Sequence, residues 1–240
     1  SKQASKQASK QASKQASKQA SKQWFNIDLF KLIMVYAVVA IHTHPFENCK
    51  DKQTVDFLLF IFDLAVPFYF LACGFLLAMK SKELNEKDTF ISIKSHTMKI
   101  LKMYLVWTAV YLPIAIYHFF DIKETPIKAI LLYLRNFIFI GEQYNSFQLW
   151  YLLSTIYSLA TILILRIAKK RLALVCTSIV ASILSILLSI LPNYDGTFHG
   201  VALMLQNIIK YSFGNGRLFY GLVFIPIGMI IAGREISTLM

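Results

Sequence analysis

Asp28, Lys31 and His42 are the ionisable side chains of the first apolar run in the chain. At 100° per residue, Lys31 and His42 differ by about 20° beyond three full helical turns. Asp28 lies one turn before Lys31, so the three share one stripe. A charge at the centre of a bilayer costs about 2.5–3.5 kcal/mol on insertion scales, and pairing at i,i+3 lets Asp28 and Lys31 offset part of it. The pair is open to a second reading, as an anchor of the helix end in the headgroup zone. His42 stands near the opposite end. Histidine exchanges a proton near neutral pH, but residue type alone is also satisfied by a plain interfacial histidine.

A second apolar run carries Asp56 and Asp63, seven residues apart and therefore on one helix face. Asp56 begins at a depth similar to His42 on the antiparallel neighbour. Its carboxylate suits orientation of the imidazole, and equally suits a helix N-terminus favoured by the dipole. Asp63 is deeper and needs a partner, and Pro67 one turn later predicts a kink. Lys94, Lys99 and Lys102 precede Tyr104 and Trp107 at the start of a third run. They read as cytoplasmic anchors, or, for the i,i+3 pair Lys99 and Lys102, as two point charges for the phosphates of a cytosolic donor such as coenzyme A. Neither a serine-nucleophile motif, a P-loop nor a dinucleotide fingerprint is present. Gly214 to Arg217 is too short for a phosphate loop and reads as a turn, with Arg217 at the outer interface.

The elements that must position these residues are membrane helices. Of 240 residues 56% are apolar, only 16% are charged, and the mean hydropathy is +0.53, whereas a soluble domain has about 25% charged residues. Apolar runs cover about 24–43, 54–79, 100–120, 147–166, 172–191 and 218–233, each near the ~20 residues that a spanning helix needs. The expectation is an all-α polytopic transmembrane bundle of about six spans. Residues 127–140 fit an interfacial helix or the start of another span, and 192–210 are similarly ambiguous. Basic residues crowd the connection from Lys80 to Lys102 and the turn from Arg166 to Arg171, which puts both connections and the N-terminus in the cytoplasm.

Residues 1–23 repeat Ser-Lys-Gln-Ala and hold six of the 25 basic residues. Without them 19 basic groups face 13 acidic ones, a net of +6 rather than +12. The repeat has no apolar face and is expected to be disordered or a weak, fraying helix. It is a tandem duplication or cloning artefact, or else a polybasic contact with anionic lipid. The domain proper is 24–240, and the stop at Met240 suggests that the closing part of the bundle is missing. In a membrane protein this charge does not point to nucleic acid. Cys49, Cys73 and Cys176 have no metal or redox spacing, so no metal, disulfide or bound cofactor is expected.

Several stretches together resemble the bacterial acyltransferase-3 membrane proteins. They are Asn26 to Lys31 followed by His42, the Ala65 to Leu77 run (similar to the family's "VPFFFxxSGFLL"), and the basic pair before Tyr104 to Trp107. Leu149 to Leu152 ("LWYL") and Asn215 to Gly228 complete the set. Membrane halves of serine racemases are similar too. The resemblance implies transfer of an acyl group, usually acetyl, from acetyl-CoA to a hydroxyl of a cell-surface glycan or related envelope molecule. It assigns His42 as general base, Lys31, Lys99 and Lys102 as donor-binding, with Asp28 and Asp56 in support. An imidazole near neutrality suits removal of a hydroxyl proton. The Lys31–His42 stripe covers about 16 Å of helix, much of the route from a cytosolic donor to an external acceptor. Phe25 and Gln148 depart from the family pattern, which usually has arginine and histidine there. The rivals are a transporter-like domain for a small polar solute such as an amino acid, with Asp28, Lys31 and Asp63 lining the pathway, and an inactive fragment. The acceptor, the acyl group and the oligomeric state are not set by these residues.

Overall fold

The computed structural model describes residues 25–43, 45–46, 49–82, 84–121, 125–142, 146–167, 171–190, 203–204, 207–208 and 216–233. The Ser-Lys-Gln-Ala repeat and nearly all of 192–210 lie outside the described residues. The described elements are helical throughout, with no strand among them: α1 (Phe25–Thr43), α2 (Lys52–Asp63), α3 (Ala65–Ser81), α4 (Glu86–Asp121), α5 (Pro126–Arg135), α6 (Leu149–Ile167), α7 (Arg171–Ile190) and α8 (Tyr220–Ile231). The protein is an all-α membrane protein. Helices over Phe25–Thr43, Lys52–Ser81, Glu86–His118 and Leu149–Arg166 are long and apolar enough to cross a bilayer. The fifth expected span, 172–191, coincides with the 20-residue α7, apolar over its described stretch Cys176–Leu187, and the sixth, 218–233, with the shorter apolar stretch Arg217–Ile231.

The chain divides into two compact units, Ser1–Tyr69 and Phe70–Met240. In the first, α1 is mostly exposed, as suits lipid; Ala37 is its buried side chain. The second apolar run is broken at Leu64, between α2 and α3. Pro67 explains the position. Its ring has no N–H for the Asp63 carbonyl four residues back and crowds it. The ladder resumes with Leu64 N–H on Ile61 O and Phe68 N–H on Leu64 O, at 3.2 and 3.0 Å.

The start of α2 is capped by Asp51, whose carboxylate accepts from the Thr54 hydroxyl and from its N–H at 3.4 Å. The hydroxyl bond, then the amide bond, holds this carboxyl below its ordinary value of 3.8. A depressed folded-state pKa means that the cap is intact above the unfolded value and is lost as pH falls through the folded one. Hydrogen exchange at the Thr54 amide is therefore expected to be slow at neutral pH and to accelerate relative to the core of α2 below about pH 4. Asp51→Asn, a neutral cap, should abolish that acid limb.

In the second unit, α4 corrects the sequence reading. The lysines expected on a connection from Lys80 to Lys102 are mostly helical, because α4 begins at Glu86. The reason is a reciprocal cap. Asp88 N–H donates to Asn85 Oδ1 at 2.8 Å, and the Asn85 amide donates to Asp88 Oδ2 at 2.9 Å, while Glu86 and Asp88 favour the positive helix end. Thr89, Ile93, Thr97, Ile100 and Tyr104 form the buried stripe of this extension, leaving its lysines outside.

Residues 127–140, ambiguous in sequence, form α5 and then a wider π-turn, Asn136–Ile140. Such a turn frees backbone carbonyls, and tyrosines from two other helices take them up. The Tyr104 hydroxyl donates to Phe137 O at 2.7 Å and the Tyr157 hydroxyl to Ile138 O at 2.9 Å. Tyr104, Leu149, Leu153 and Leu218 make a buried core around this junction. Between α6 and α8 the contact is close and polar. Ser154 Oγ donates to Leu218 O at 2.7 Å and accepts from Gly221 N–H at 3.0 Å. Small and hydroxyl-bearing residues join helices in this way where burial of apolar surface supplies no drive.

Candidate functional site

On α1 the Asp28 carboxylate and the Lys31 ammonium are 3.0 Å apart, with 67% and 32% of each side chain exposed. The i,i+3 pair expected from spacing is thus formed. The backbone at Lys31 is also held, because the Tyr69 hydroxyl donates to its carbonyl at 2.7 Å. Phe30 meets Phe68 with ring centroids 6.3 Å apart, so the basic residue sits where α1 and the start of α3 are locked together.

His42 is exposed on the last turn of α1, beside Thr43, whose hydroxyl donates to Val39 O at 3.0 Å. Just beyond, Phe46 stacks on Phe62 at 6.3 Å, tying this end to α2. Asp56 and Asp63 are both exposed on α2. Among the described residues, no hydrogen bond or ion pair joins His42 to Asp56. The arrangement offers an accessible imidazole at one end of α1 and a fixed cation at the other.

Lys99 and Lys102 belong to the second unit, both exposed on α4. Sequence reading overlooked a neighbour. Lys99 and Lys80, the latter at the end of α3, lie close enough to His96 to act on its imidazole electrostatically. His96 precedes Lys99 by three residues, a spacing that marks it as a helical neighbour once α4 is known to extend this far. Lys80 and Lys99, on either side of His96, supply positive charge able to receive phosphate oxygens.

Farther along α4, Tyr111 lies about 18 Å from Lys99. The side-chain amide of Gln148 donates to the Tyr111 hydroxyl at 2.6 Å. The Arg217 guanidinium pairs with Glu142 at 2.8 Å and lies 5.6 Å from the Trp150 ring centroid. Tyr220 meets Trp150 edge to face at 6.0 Å. Of the turn expected from Gly214 to Arg217, Gly216 and Arg217 are among the described residues, and Gly216 is left-handed with φ 75°. The partnership of Arg217 with Glu142 spans 75 positions and left no sequence signal. No group of three His, Cys, Asp or Glu placed to hold a metal ion occurs among the described residues.

Comparison with known proteins follows the same lines. Residues 24–235 match the Acyl_transf_3 family, described as an acyltransferase domain. The chain is 32% identical over 140 residues to an amino-acid racemase of Enterococcus faecalis, covering 58% of this chain and 19% of that protein. It is 26% identical over 212 residues to another amino-acid racemase of Enterococcus faecalis, covering 87% of this chain and 27% of that one. A serine/alanine racemase of Enterococcus gallinarum is 33% identical over 92 residues, or 38% of this chain and 13% of the relative. The chain therefore spans less than a third of the length of these relatives. No solved structure matches it. With a match that begins just before α1 and extends past α8, the chain belongs to the acyltransferase-3 family of membrane proteins.

Proposed function

We propose that this chain moves an acetyl group from cytosolic acetyl-CoA to a hydroxyl of a cell-surface glycan or related envelope molecule. The observation that carries the reading is the polar stripe of α1, with Lys31 fixed by Asp28 and Tyr69 and His42 left accessible. His42 takes the hydroxyl proton as the acceptor oxygen attacks the thioester carbon. The carbon–sulfur bond breaks, and the CoA thiolate leaves and regains a proton. Lys99 and Lys102, with Lys31, hold the donor through its phosphates, and Asp28 and Asp56 support the two working residues. The protein is multi-pass in the cell membrane with a cytoplasmic N-terminus. In that orientation the lysines of α4 meet the cytosol and Arg217 the outside.

The test is acetyl-CoA turnover by membranes that carry the protein, supplied with purified envelope glycan and donor labelled in the acetyl group. CoA release accompanied by label in the glycan is expected. Label no higher than in membranes lacking the folded protein would defeat the reading.

One observation supports a second reading. Asp63 places a carboxylate at the helix break, about 16 Å along α2 from Lys52 and so near mid-membrane. Broken helices with ionisable residues line solute paths in transporters, and the relatives are racemases of amino acids. On this reading labelled serine enters vesicles without acetyl-CoA, and Asp63→Asn stops it.

A further inference from the structure

We infer that Arg217 and Glu142, set over Trp150 and beside Tyr220, form the subsite that recognises a sugar ring of the acceptor. The inference rests on the acyl-transfer reading and assigns residues to the glycan acceptor that reading names. An exposed ion pair contributes little to stability, yet both partners here are delivered by dedicated backbone turns. Glu142 follows Gly141, which is left-handed at φ 75°. A Cβ on Gly141 would run into the Trp150 Cα at 2.6 Å, so only glycine seats this turn against α6. Arg217 follows Gly216, also at φ 75°, whose carbonyl accepts from Ser185 Oγ at 3.1 Å. Two segments far apart in sequence are thereby brought to one point with their side chains pre-aimed.

An interfacial anchor would look different. Tryptophan, tyrosine and arginine at a membrane boundary reach individually toward headgroups. Here the guanidinium is folded back over an indole and tied to an acid, 2.8 Å away. The pair is neutral as a unit, which disfavours a phosphorylated ligand. It still presents planar donors and acceptors in fixed geometry, suited to neighbouring hydroxyls. Trp150 and Tyr220, both half-buried, supply the aromatic wall against which the C–H face of a sugar packs. Few polar groups on an aromatic lining is the composition of a small-molecule site.

The test uses the whole protein in nanodiscs, titrated by calorimetry with N-acetylglucosamine tetrasaccharide, with maltotetraose and, separately, with inorganic phosphate. Binding of at least one oligosaccharide is expected, weakened tenfold or more by Glu142→Gln and by Arg217→Lys, which keeps the charge but loses the fork. Unchanged thermal unfolding of both variants shows that folding is not the cause, and Trp150→Phe should weaken sugar binding while keeping the ion pair. The inference is overturned by wild-type protein that binds neither oligosaccharide, by variants that bind as well as wild type, or by tighter binding of phosphate through Arg217. Failure of the parent reading is seen elsewhere. Sugar binding lost in the variants, in a wild-type protein that never releases CoA, would remove acyl transfer and leave the sugar site standing.

Discussion

Alanine at Gly74 or at Gly228 is expected to destabilise the solubilised protein by about 3 kcal/mol, the upper end of overpacking costs. The two glycines sit on facing helices in a reciprocal contact. A Cβ on Gly74 in α3 would collide with the backbone carbonyl of Ile225 in α8, and one on Gly228 in α8 with the carbonyl of Leu71 in α3. In each case the obstacle is backbone, which cannot swing aside as a side-chain tip does. Relief requires the helices to separate, and separation loosens the packing around buried Phe70, Ile225 and Met229. It also loses dispersion contacts along both helices, a large part of what holds helices together in lipid. Gly233 is the internal control. It is left-handed at φ 68° with nothing within 4 Å of its added Cβ, so alanine there costs only about 1–2 kcal/mol of backbone strain. Thermal unfolding in detergent should rank Gly74 and Gly228 together, well below Gly233. Equal losses at all three positions would mean that the α3–α8 contact is not this close.

That contact shows where sequence reading stops. The helices themselves were legible. Apolar runs in α1, α2 with α3, and α6 lie within a few residues of the observed bounds, because lipid demands continuous hydropathy from any spanning helix. The break near Pro67 followed from a missing N–H. The early start of α4 did not follow from hydropathy, since its lysines dilute the apolar signal; only the Asn85–Asp88 cap announces it. The π-turn at Asn136–Ile140 has no local signature at all, being stabilised by Tyr104 and Tyr157 from other helices. The candidate site divides in the same way. Asp28 with Lys31 is a local i,i+3 pair and was visible from spacing. Glu142 with Arg217 is a product of tertiary structure, as is the approach of Lys80 to His96, so neither could be read from the sequence.

His42→Ala is expected to lower the turnover number for acetyl transfer 10²–10⁴-fold, roughly the contribution of a positioned general base. The Michaelis constant for acetyl-CoA should change little, because the imidazole acts on the acceptor hydroxyl rather than on the donor's phosphates. Lys99→Ala and Lys102→Ala should give the opposite pattern. Loss of a charge-assisted contact to phosphate, worth about 1.5–3 kcal/mol for a hydrogen bond to a charged group, raises the donor constant on the order of tenfold to a hundredfold and spares turnover at saturation. Lys31→Ala tests the link between the ends of the stripe. Its ammonium is paired with Asp28, and its carbonyl is held by Tyr69 whatever the side chain. The substitution therefore leaves the backbone lock intact and isolates the charge. If Lys31 serves the donor, its variant behaves like those of Lys99 and Lys102. If it only anchors α1 in the headgroups, both constants stay near wild type while membrane insertion weakens. Undiminished transfer by His42→Ala, in protein shown to be folded and inserted, would remove His42 from the chemistry. The proton acceptor would then have to be sought elsewhere.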